Sequence, residues 1–239
     1  MAVKNLVVED KIFELSYEIV NPTKTKDILF LHGWGSNKDV MKTAFSNYLK
    51  DFRHIYIDMP GFGKTQNSYV LTTSDYSKAV KEFLKSLNSN CIAIVGHSFG
   101  GKVATLLNPE NLVLLSSAGI LEQKSAKVKI KIFFAKLLNS LGLRNLTKTF
   151  RSKDVEKMSE NMYSTFKNVV NEDFSSNFKA FQNNAFIFWG ENDTATSLES
   201  GKKIAELIKK SNFKSYVGDH YFFLKHAQNI SKRVEDGIS

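Results

Sequence analysis

Ser98 is flanked by glycines in the segment GHSFGG, residues 96–101. The spacing G-x-S-x-G between an apolar strand and a helix forces the serine into a strained turn, from which its hydroxyl projects. Gly96 and Gly100 suit this turn because they have no Cβ atom that would collide with the backbone. The N-terminus of the following helix also favours negative charge near the serine. We therefore predict that Ser98 is the nucleophile of an acyl-transfer reaction.

A serine hydroxyl needs a histidine as general base and an acidic residue that orients the histidine. In chains with this serine turn, the acid follows the serine and the histidine comes last. Only His220 and His226 follow Ser98, and we favour His220 because it comes directly after the last predicted strand. Asp193 is the favoured acid, and Glu191 in the same loop is the alternative.

The tetrahedral intermediate of such a reaction also needs hydrogen-bond donors for its oxyanion. We predict two backbone N–H groups, one from Phe99 after the nucleophile and one from Trp34 in the glycine-containing segment HGWGS. The Trp34 indole either walls the pocket or packs in the core. We expect His32 and His97, which flank these motifs, to organise the loops by hydrogen bonding. No cluster has metal-ligand spacing, and the predicted reaction requires no cofactor.

The elements that would position these residues alternate short apolar strands with helices. Predicted strands cover residues 11–20, 28–31, 55–57, 91–95, 112–115, 185–189 and 213–217. Predicted helices cover residues 40–49, 73–87, 99–107, about 198–209 and a segment after His220. Continuous apolar strands that alternate with helices indicate a mainly parallel sheet that is covered on both faces.

The strand pattern is interrupted between residues 119 and 184. Helical spacing is loose over residues 128–141 and clearer for Met158, Met162, Phe166 and Val169. We predict an α/β core formed by residues 1–118 and 185–239, and a helical insertion formed by residues 119–184.

Several segments together resemble the α/β-hydrolase superfamily: HGWGS, IDMPGFGKT at residues 57–65, GHSFGG, an acid after a late strand and a terminal histidine. The resemblance covers nearly the whole chain outside the insertion. It implies an α/β-hydrolase fold with a mainly parallel central sheet flanked by helices and a helical cap over the active site. It also implies a Ser98–His220–Asp193 triad that acts through an acyl-enzyme.

The combination of HGWG with D-x-P-G-F-G is most similar to small bacterial carboxylesterases. These include methyl esterases that act on pimeloyl groups held on acyl carrier protein. The chain departs from the family pattern in lacking a proline soon after the acid, in having Asp219 before the histidine, and in ending the helix after the serine at Asn108 and Pro109.

The resemblance leaves two alternatives to a carboxylesterase that cleaves esters of small or medium acyl groups. One is hydrolysis of a C–C bond in a 2-hydroxy-6-oxo-dienoate. The other is a non-catalytic ligand-binding homologue, as among hormone receptors of this fold.

The composition of the 239 residues, 42% of them hydrophobic, suits one domain with a sizeable core. Cys91 is the only cysteine, which gives no disulfide framework. No apolar run approaches the roughly 20 residues of a membrane helix, and no signal segment is recognised, so we expect a cytoplasmic protein.

The net charge of +9, from 33 Lys and Arg against 24 Asp and Glu, is concentrated in the insertion. The basic residues there, with no acidic residue among them, are Lys124, Lys127, Lys129, Lys131, Lys136, Arg144, Lys148, Arg151 and Lys153. This basic run is a solvated face, a site that attracts an acidic carrier protein or anionic substrate, or a contact with anionic membrane. No nucleic-acid partner is predicted. The apolar residues Phe133, Phe134, Leu137 and Leu138 either wall the substrate pocket or attach the cap to the core.

Overall fold

In the part of the chain that the structure describes, one sheet of eight strands forms the centre of the protein. The computed structural model describes residues 1–121 and 158–238. The strands are β1 Ala2–Val8, β2 Lys11–Val20, β3 Asp27–Leu31, β4 Arg53–Ile57, β5 Cys91–His97, β6 Asn111–Leu115, β7 Asn184–Gly190 and β8 Ser211–Tyr216. Their order across the sheet is β1-β2-β4-β3-β5-β6-β7-β8. Strands β1 and β2 pair antiparallel with each other, and β2 pairs antiparallel with β4, whereas all other pairs are parallel.

The helices of the described residues lie between successive strands or after β8, and they cover both faces of this sheet. They are α1 Lys38–Phe45, α2 Thr73–Ser86, α3 Phe99–Leu107, α4 Glu160–Val170, α5 Ser175–Ala180, α6 Leu198–Leu207 and α7 Phe223–Ile238. Strand β3 is buried along its whole length, and its alternate residues enter two separate cores. Leu29 and Leu31 join the core that includes residues of α2, α3 and α6, whereas Ile28 and Phe30 join the core that includes residues of α1 and α7. The continuous apolar runs therefore arise because the inner strands β3 to β7 supply both cores.

The predicted elements occur in the predicted order, with shifts at several ends. Helix α1 begins at Lys38 and ends at Phe45, earlier than the predicted range of 40–49. The side chain of Asn37 accepts a hydrogen bond from the N–H of Asp39 at the start of this helix, which explains the early beginning. Helix α6 and strand β8 likewise end before their predicted limits.

Strand β1 was not predicted. Its residues alternate poorly because only Leu6 and Val8 are buried, while Val3 and Val7 are exposed. The strand lies at the edge of the sheet and is held by antiparallel pairing to β2, in which Val7 lies opposite Ile12. Such a pairing depends on the partner strand and leaves little signal in the strand's own sequence.

Helix α4 contains Met162, Phe166 and Val169 of the predicted helical group, whereas Met158 lies before its first residue, Glu160. The basic run at residues 124–153 and the apolar residues 133–138 within it lie outside the described residues. The prediction of a cap over residues 119–184 therefore stays a prediction.

Candidate active site

Ser98 occupies a strained turn between β5 and α3. Its backbone angles are φ 51° and ψ −115°, which a residue with a side chain rarely adopts. Its N–H donates to the carbonyl of Leu115 at 3.1 Å, and its own carbonyl accepts the N–H of Ala118 at 3.0 Å. These bonds to the end of β6 and the loop after it hold the turn in place. Backbone strain of this kind costs on the order of 1–3 kcal/mol and persists only where the surroundings enforce it.

The glycines around Ser98 are required by close approach of the backbone. A Cβ atom on Gly96 would lie 2.5 Å from the carbonyl oxygen of Gly100. A Cβ atom on Gly100 would lie 2.6 Å from the carbonyl oxygens of Leu31 and His32. Both contacts are with backbone atoms, which cannot move aside as a flexible side chain can. The G-x-S-x-G spacing thus allows α3 to pack directly against the end of β3.

Asp193 and His220 are hydrogen-bonded to each other. His220 Nδ1 donates to Asp193 Oδ2 at 2.7 Å, although the residues are 27 positions apart. The loop after β7 carries Asp193, and the loop after β8 carries His220. These parallel strands are neighbours, so the residues after their carboxyl ends meet at one edge of the sheet. The bond leaves Nε2 of a neutral His220 as the nitrogen that can accept a proton.

The Asp193 carboxylate is buried and well supplied with hydrogen-bond donors. Its Oδ1 accepts the backbone N–H groups of Ala195 at 2.8 Å and Thr196 at 3.0 Å. Burial alone would raise the pKa of Asp193, but the hydrogen bonds from His220 and Thr196 outweigh burial and lower the pKa to about 2. Asp193 is therefore ionised throughout the neutral range.

The other candidates for the acid and the base have different partners. Glu191 Oε1 accepts a hydrogen bond from the Ser215 hydroxyl, and Asp219 Oδ1 accepts the N–H of Tyr221. His226 lies on α7, and its Nε2 bonds to the carbonyl of Val217.

Ser98 lies near the Asp193–His220 pair without being bonded to it. His97, the preceding residue, donates from Nε2 to the carbonyl of His220 at 3.0 Å, and the two imidazole rings lie 4.6 Å apart between centroids. Neither the Ser98 hydroxyl nor His220 Nε2 makes a hydrogen bond in the part of the chain that the structure describes. The catalytic hydrogen bonds of enzymes without substrate are often long and tighten when substrate binds.

His32 and His97 hold the loops around Ser98. His32 Nε2 accepts the N–H of Met59 at 3.0 Å, so the proton is on Nδ1, which donates to the carbonyl of Gly33 at 2.7 Å. Burial lowers the pKa of His32 to about 4. Burial, together with the nearby His220, lowers the pKa of His97 to about 3. Both side chains are therefore neutral and serve as fixed hydrogen-bonding groups.

The predicted oxyanion donors lie on either side of Ser98. Phe99 is the first residue of α3, where an N–H has no acceptor within the helix. Trp34 follows Gly33 in a turn closed by the N–H of Ser36 and the carbonyl of Gly33 at 3.2 Å. Neither the Phe99 nor the Trp34 N–H bonds to another described residue, so both are available to a ligand.

The sequence alone did not indicate a buried ion pair between Lys38 and Asp58. Lys38 Nζ lies 2.8 Å from Asp58 Oδ2, and the two side chains are 2% and 0% exposed. Asp58 also accepts the backbone N–H groups of Lys38 at 2.8 Å and Lys64 at 3.0 Å. The pair joins the segment after β4 to the start of α1 and so braces the loop that carries Trp34. Asp58 belongs to the IDMPGFGKT segment, but nothing in the spacing pointed to Lys38 as its partner.

A cavity of about 440 Å³ opens beside Ser98. Its apolar lining includes Trp34, Phe99, Ile120, Phe166 and Val169. The ring centroids of Trp34 and Phe166 lie 5.4 Å apart. The loop after β3, which carries Trp34, and helix α4, which carries Phe166, therefore form one aromatic wall of the cavity. The Trp34 indole therefore contributes to the pocket and also packs against Phe99.

The described residues contain neither a cluster of metal-ligating side chains nor a membrane-spanning helix. No three His, Cys, Asp or Glu side chains within residues 1–121 and 158–238 are grouped so that they could hold a metal ion. No helix in these ranges combines the length and apolar character needed to cross a bilayer.

Comparison with family models identifies the class of this protein. Residues 28–195 match the model of the alpha/beta hydrolase family. The chain therefore belongs to the alpha/beta hydrolase family, in agreement with its sheet and the turn at Ser98.

The named proteins that are similar to this chain include hydrolases and esterases. A serine hydrolase-like protein of Danio rerio is 29% identical over 45% of this chain and 36% of its own length. A pimeloyl-[acyl-carrier protein] methyl ester esterase of Shewanella is 39% identical over 33% of this chain and 28% of its own length. The chain thus matches about a third of the length of these two relatives. An uncharacterised hydrolase of Bacillus subtilis is 22% identical over 93% of both chains.

Solved structures with the same fold include esterases. An esterase from Exiguobacterium antarcticum superimposes with a TM-score of 0.77 at 19% identity, covering 100% of this chain and 99% of its own. A thermophilic esterase from Thermogutta terrifontis superimposes with a TM-score of 0.75 at 17% identity, covering 100% and 98%. At these identities the likeness establishes the fold. Membership of the alpha/beta hydrolase family rests on the family model, and the fold of the two esterases agrees with it.

Proposed function

We propose that this protein is a serine carboxylesterase in which Ser98, His220 and Asp193 form the catalytic triad. The observation that carries the proposal is the 2.7 Å hydrogen bond between His220 Nδ1 and a buried carboxylate of Asp193. This pair lies at the same sheet edge as a serine held in a strained turn. A pairing of this kind sets the tautomer that lets His220 act as a base.

In the proposed reaction the Ser98 hydroxyl attacks the ester carbonyl carbon while His220 Nε2 takes its proton. The N–H groups of Trp34 and Phe99 stabilise the oxyanion of the tetrahedral intermediate. His220 then returns the proton to the leaving alcohol, and an acyl-enzyme forms on Ser98. A water molecule, deprotonated by His220, attacks the acyl-enzyme, and collapse of the second intermediate releases the carboxylic acid and restores the Ser98 hydroxyl. Substrate binding brings Ser98 and His220 into hydrogen-bonding contact.

The substrate class that fits the cavity is an ester of a small or medium acyl group. The supporting observation is the apolar lining around Trp34, Ile120 and Phe166 beside the nucleophile. An apolar chain in this cavity would gain about 0.8 kcal/mol for each buried methylene group.

A carrier-bound ester is the finer form of this proposal. Several relatives are pimeloyl-[acyl-carrier protein] methyl ester esterases. The basic run between Lys124 and Lys153 would attract an acidic carrier protein through long-range electrostatics. We propose that this basic run attracts the acidic carrier protein that holds the ester.

The test is a substrate panel measured on wild-type protein and three variants. The panel contains p-nitrophenyl esters of increasing acyl length and a coloured 2-hydroxy-6-oxo-dienoate. We expect ester turnover by the wild type, a fall in kcat of about a millionfold in S98A and in H220Q, and near-normal turnover by the control H226Q. Strong cleavage of the dienoate with negligible ester turnover would show that the reaction is C–C hydrolysis. Absence of turnover of both substrates by folded protein would support a non-catalytic binder.

A further inference from the structure

Thr196 contacts the same carboxylate oxygen that accepts the hydrogen bond of His220. Its hydroxyl Oγ1 lies 3.0 Å from Asp193 Oδ2, 3.2 Å from the carbonyl oxygen of Ser116 and 3.5 Å from His220 Nδ1. The hydroxyl has one proton to donate, and the carboxylate is the nearer and the charged acceptor. Oδ2 therefore receives donors from both Thr196 and His220.

The backbone of Thr196 is fixed at both ends of the residue. Its N–H donates to Asp193 Oδ1 at 3.0 Å, and its carbonyl accepts the indole N–H of Trp189 at 2.9 Å. Trp189 is fully buried in β7, so the position of Thr196 is set by the core of the protein. A side chain held in this way keeps its hydroxyl at the carboxylate without further ordering.

We propose that Thr196 is a positioning residue whose hydroxyl holds Asp193 Oδ2 and shares the charge of that oxygen with His220. This inference deepens the proposed function and rests on it. A carboxylate that shares its charge with a second donor stabilises a protonated imidazole less than an unshared one does. Loss of the Thr196 hydroxyl would therefore make His220 more basic. The acid side of the pH–rate profile would move to higher pH, because more of the enzyme would carry a protonated His220.

The other titratable groups that face His220 among the described residues do not change in this comparison. The His97 ring lies 4.6 Å from the His220 ring and is kept neutral by burial. The Tyr221 ring lies 5.7 Å away, and Asp219 is the adjacent residue, with its carboxylate bonded to the Tyr221 N–H. A change of the hydroxyl at position 196 removes no charge, so a shift in His220 would report the lost hydrogen bond.

The direct test is the titration of His220 by NMR in histidine-labelled protein, with its signal assigned by its loss in H220Q. We compare wild type with T196V, which replaces the hydroxyl by a methyl group, and with T196S, which keeps the hydroxyl. We expect the midpoint of His220 to rise by about half a pH unit in T196V and to stay at the wild-type value in T196S. The acid limb of kcat/KM should move by the same amount.

Equal midpoints in wild type and T196V would overturn the inference. If T196V does not fold, as judged by circular dichroism, T196A replaces it with the same expectation. The titration needs no turnover, so it can be read even if the protein hydrolyses no ester. Failure of the proposed function and failure of this inference are therefore distinguishable.

Discussion

At the scale of single residues, the candidate site depends on groups whose protonation is fixed by their surroundings. Asp193 is kept ionised by donors that outweigh its burial, whereas His32 and His97 are kept neutral by burial. His220 differs from these two histidines because its side chain is only partly buried and its Nε2 has no hydrogen-bond partner in the described ranges. A general base needs a ring nitrogen that is free to accept a proton. The other two histidines are buried, and their hydrogen bonds hold the loops around Ser98.

Replacing Asp193 by Asn tests the role of the acid. The amide keeps the shape of the carboxylate, but its NH₂ group can donate to His220 and stabilise the wrong tautomer. We expect kcat for a p-nitrophenyl ester to fall by about 10³- to 10⁴-fold in D193N. The matched control is E191Q, which alters the other acid of the same loop and should retain most activity. A larger loss in E191Q than in D193N would assign the acid to Glu191.

The lowered pKa of Asp193 also predicts how stability depends on pH. Its pKa falls from an ordinary value of 3.8 to about 2 in the folded protein. The folded state therefore gains stability from Asp193 above the unfolded-state pKa, and that gain disappears as pH falls towards about 2. We expect the difference in melting temperature between wild type and D193N to be constant above about pH 5 and to shrink below about pH 4. A difference that grows on acidification would contradict this assignment.

At the scale of elements, the sequence predicted the parts of the fold whose pattern is local. The runs of β3 and β5 are continuous because both faces are buried, and G-x-S-x-G marked the junction of β5 with α3. The edge strand β1 has no such pattern. The Asp193–His220 pair was predictable from the order of motifs along the chain. The contacts of Thr196 and Lys38 were not, because each depends on how distant loops pack.

Lys102 of α3 makes one of these unpredicted contacts, with the segment that follows α4. Its buried ammonium lies 2.8 Å from Glu172 Oε2 and also donates to the carbonyl of Val169. Glu172 in turn accepts a hydrogen bond from the Thr73 hydroxyl at the start of α2. The chain leaving α4 is thus fastened to two helices of the core.

Replacing Lys102 by Met should therefore destabilise the protein. We expect a loss of about 2–4 kcal/mol in the free energy of unfolding, measured by urea denaturation, because Glu172 would lose its charged partner. The double variant K102M/E172Q should recover part of the loss, since no unpaired charge remains. The control is K202M, whose exposed pair with Glu199 should contribute less than about 1 kcal/mol. Equal losses in K102M and K202M would contradict the role of the buried pair.

At the scale of the whole molecule, the charge of the chain is distributed unevenly. The net charge of +9 includes a run of basic residues between Lys124 and Lys153 without an acidic residue. Attraction between a basic surface and an acidic protein is long-range and is screened by salt over about 10 Å at 0.1 M. A small neutral ester is not attracted in this way.

Salt dependence should therefore separate carrier-bound from free substrates. We expect kcat/KM for an ester held on acyl carrier protein to fall by about tenfold or more between low and physiological salt. The value for a free p-nitrophenyl ester should change by less than about twofold. Replacing Lys127, Lys131 and Lys136 together by Gln should weaken the salt response. The same salt response for both substrates would exclude attraction of a carrier by the basic run.

The central claim is that Ser98 is a nucleophile activated by His220. A fluorophosphonate probe reacts covalently with an activated serine hydroxyl, and mass spectrometry locates the modified residue. We expect folded wild-type protein to be labelled at Ser98, S98A to remain unlabelled, and H220Q to be labelled far more slowly than H226Q. Two results would contradict activation of Ser98 by His220. One is folded wild-type protein that remains unlabelled at Ser98, and the other is H220Q that is labelled as fast as wild type.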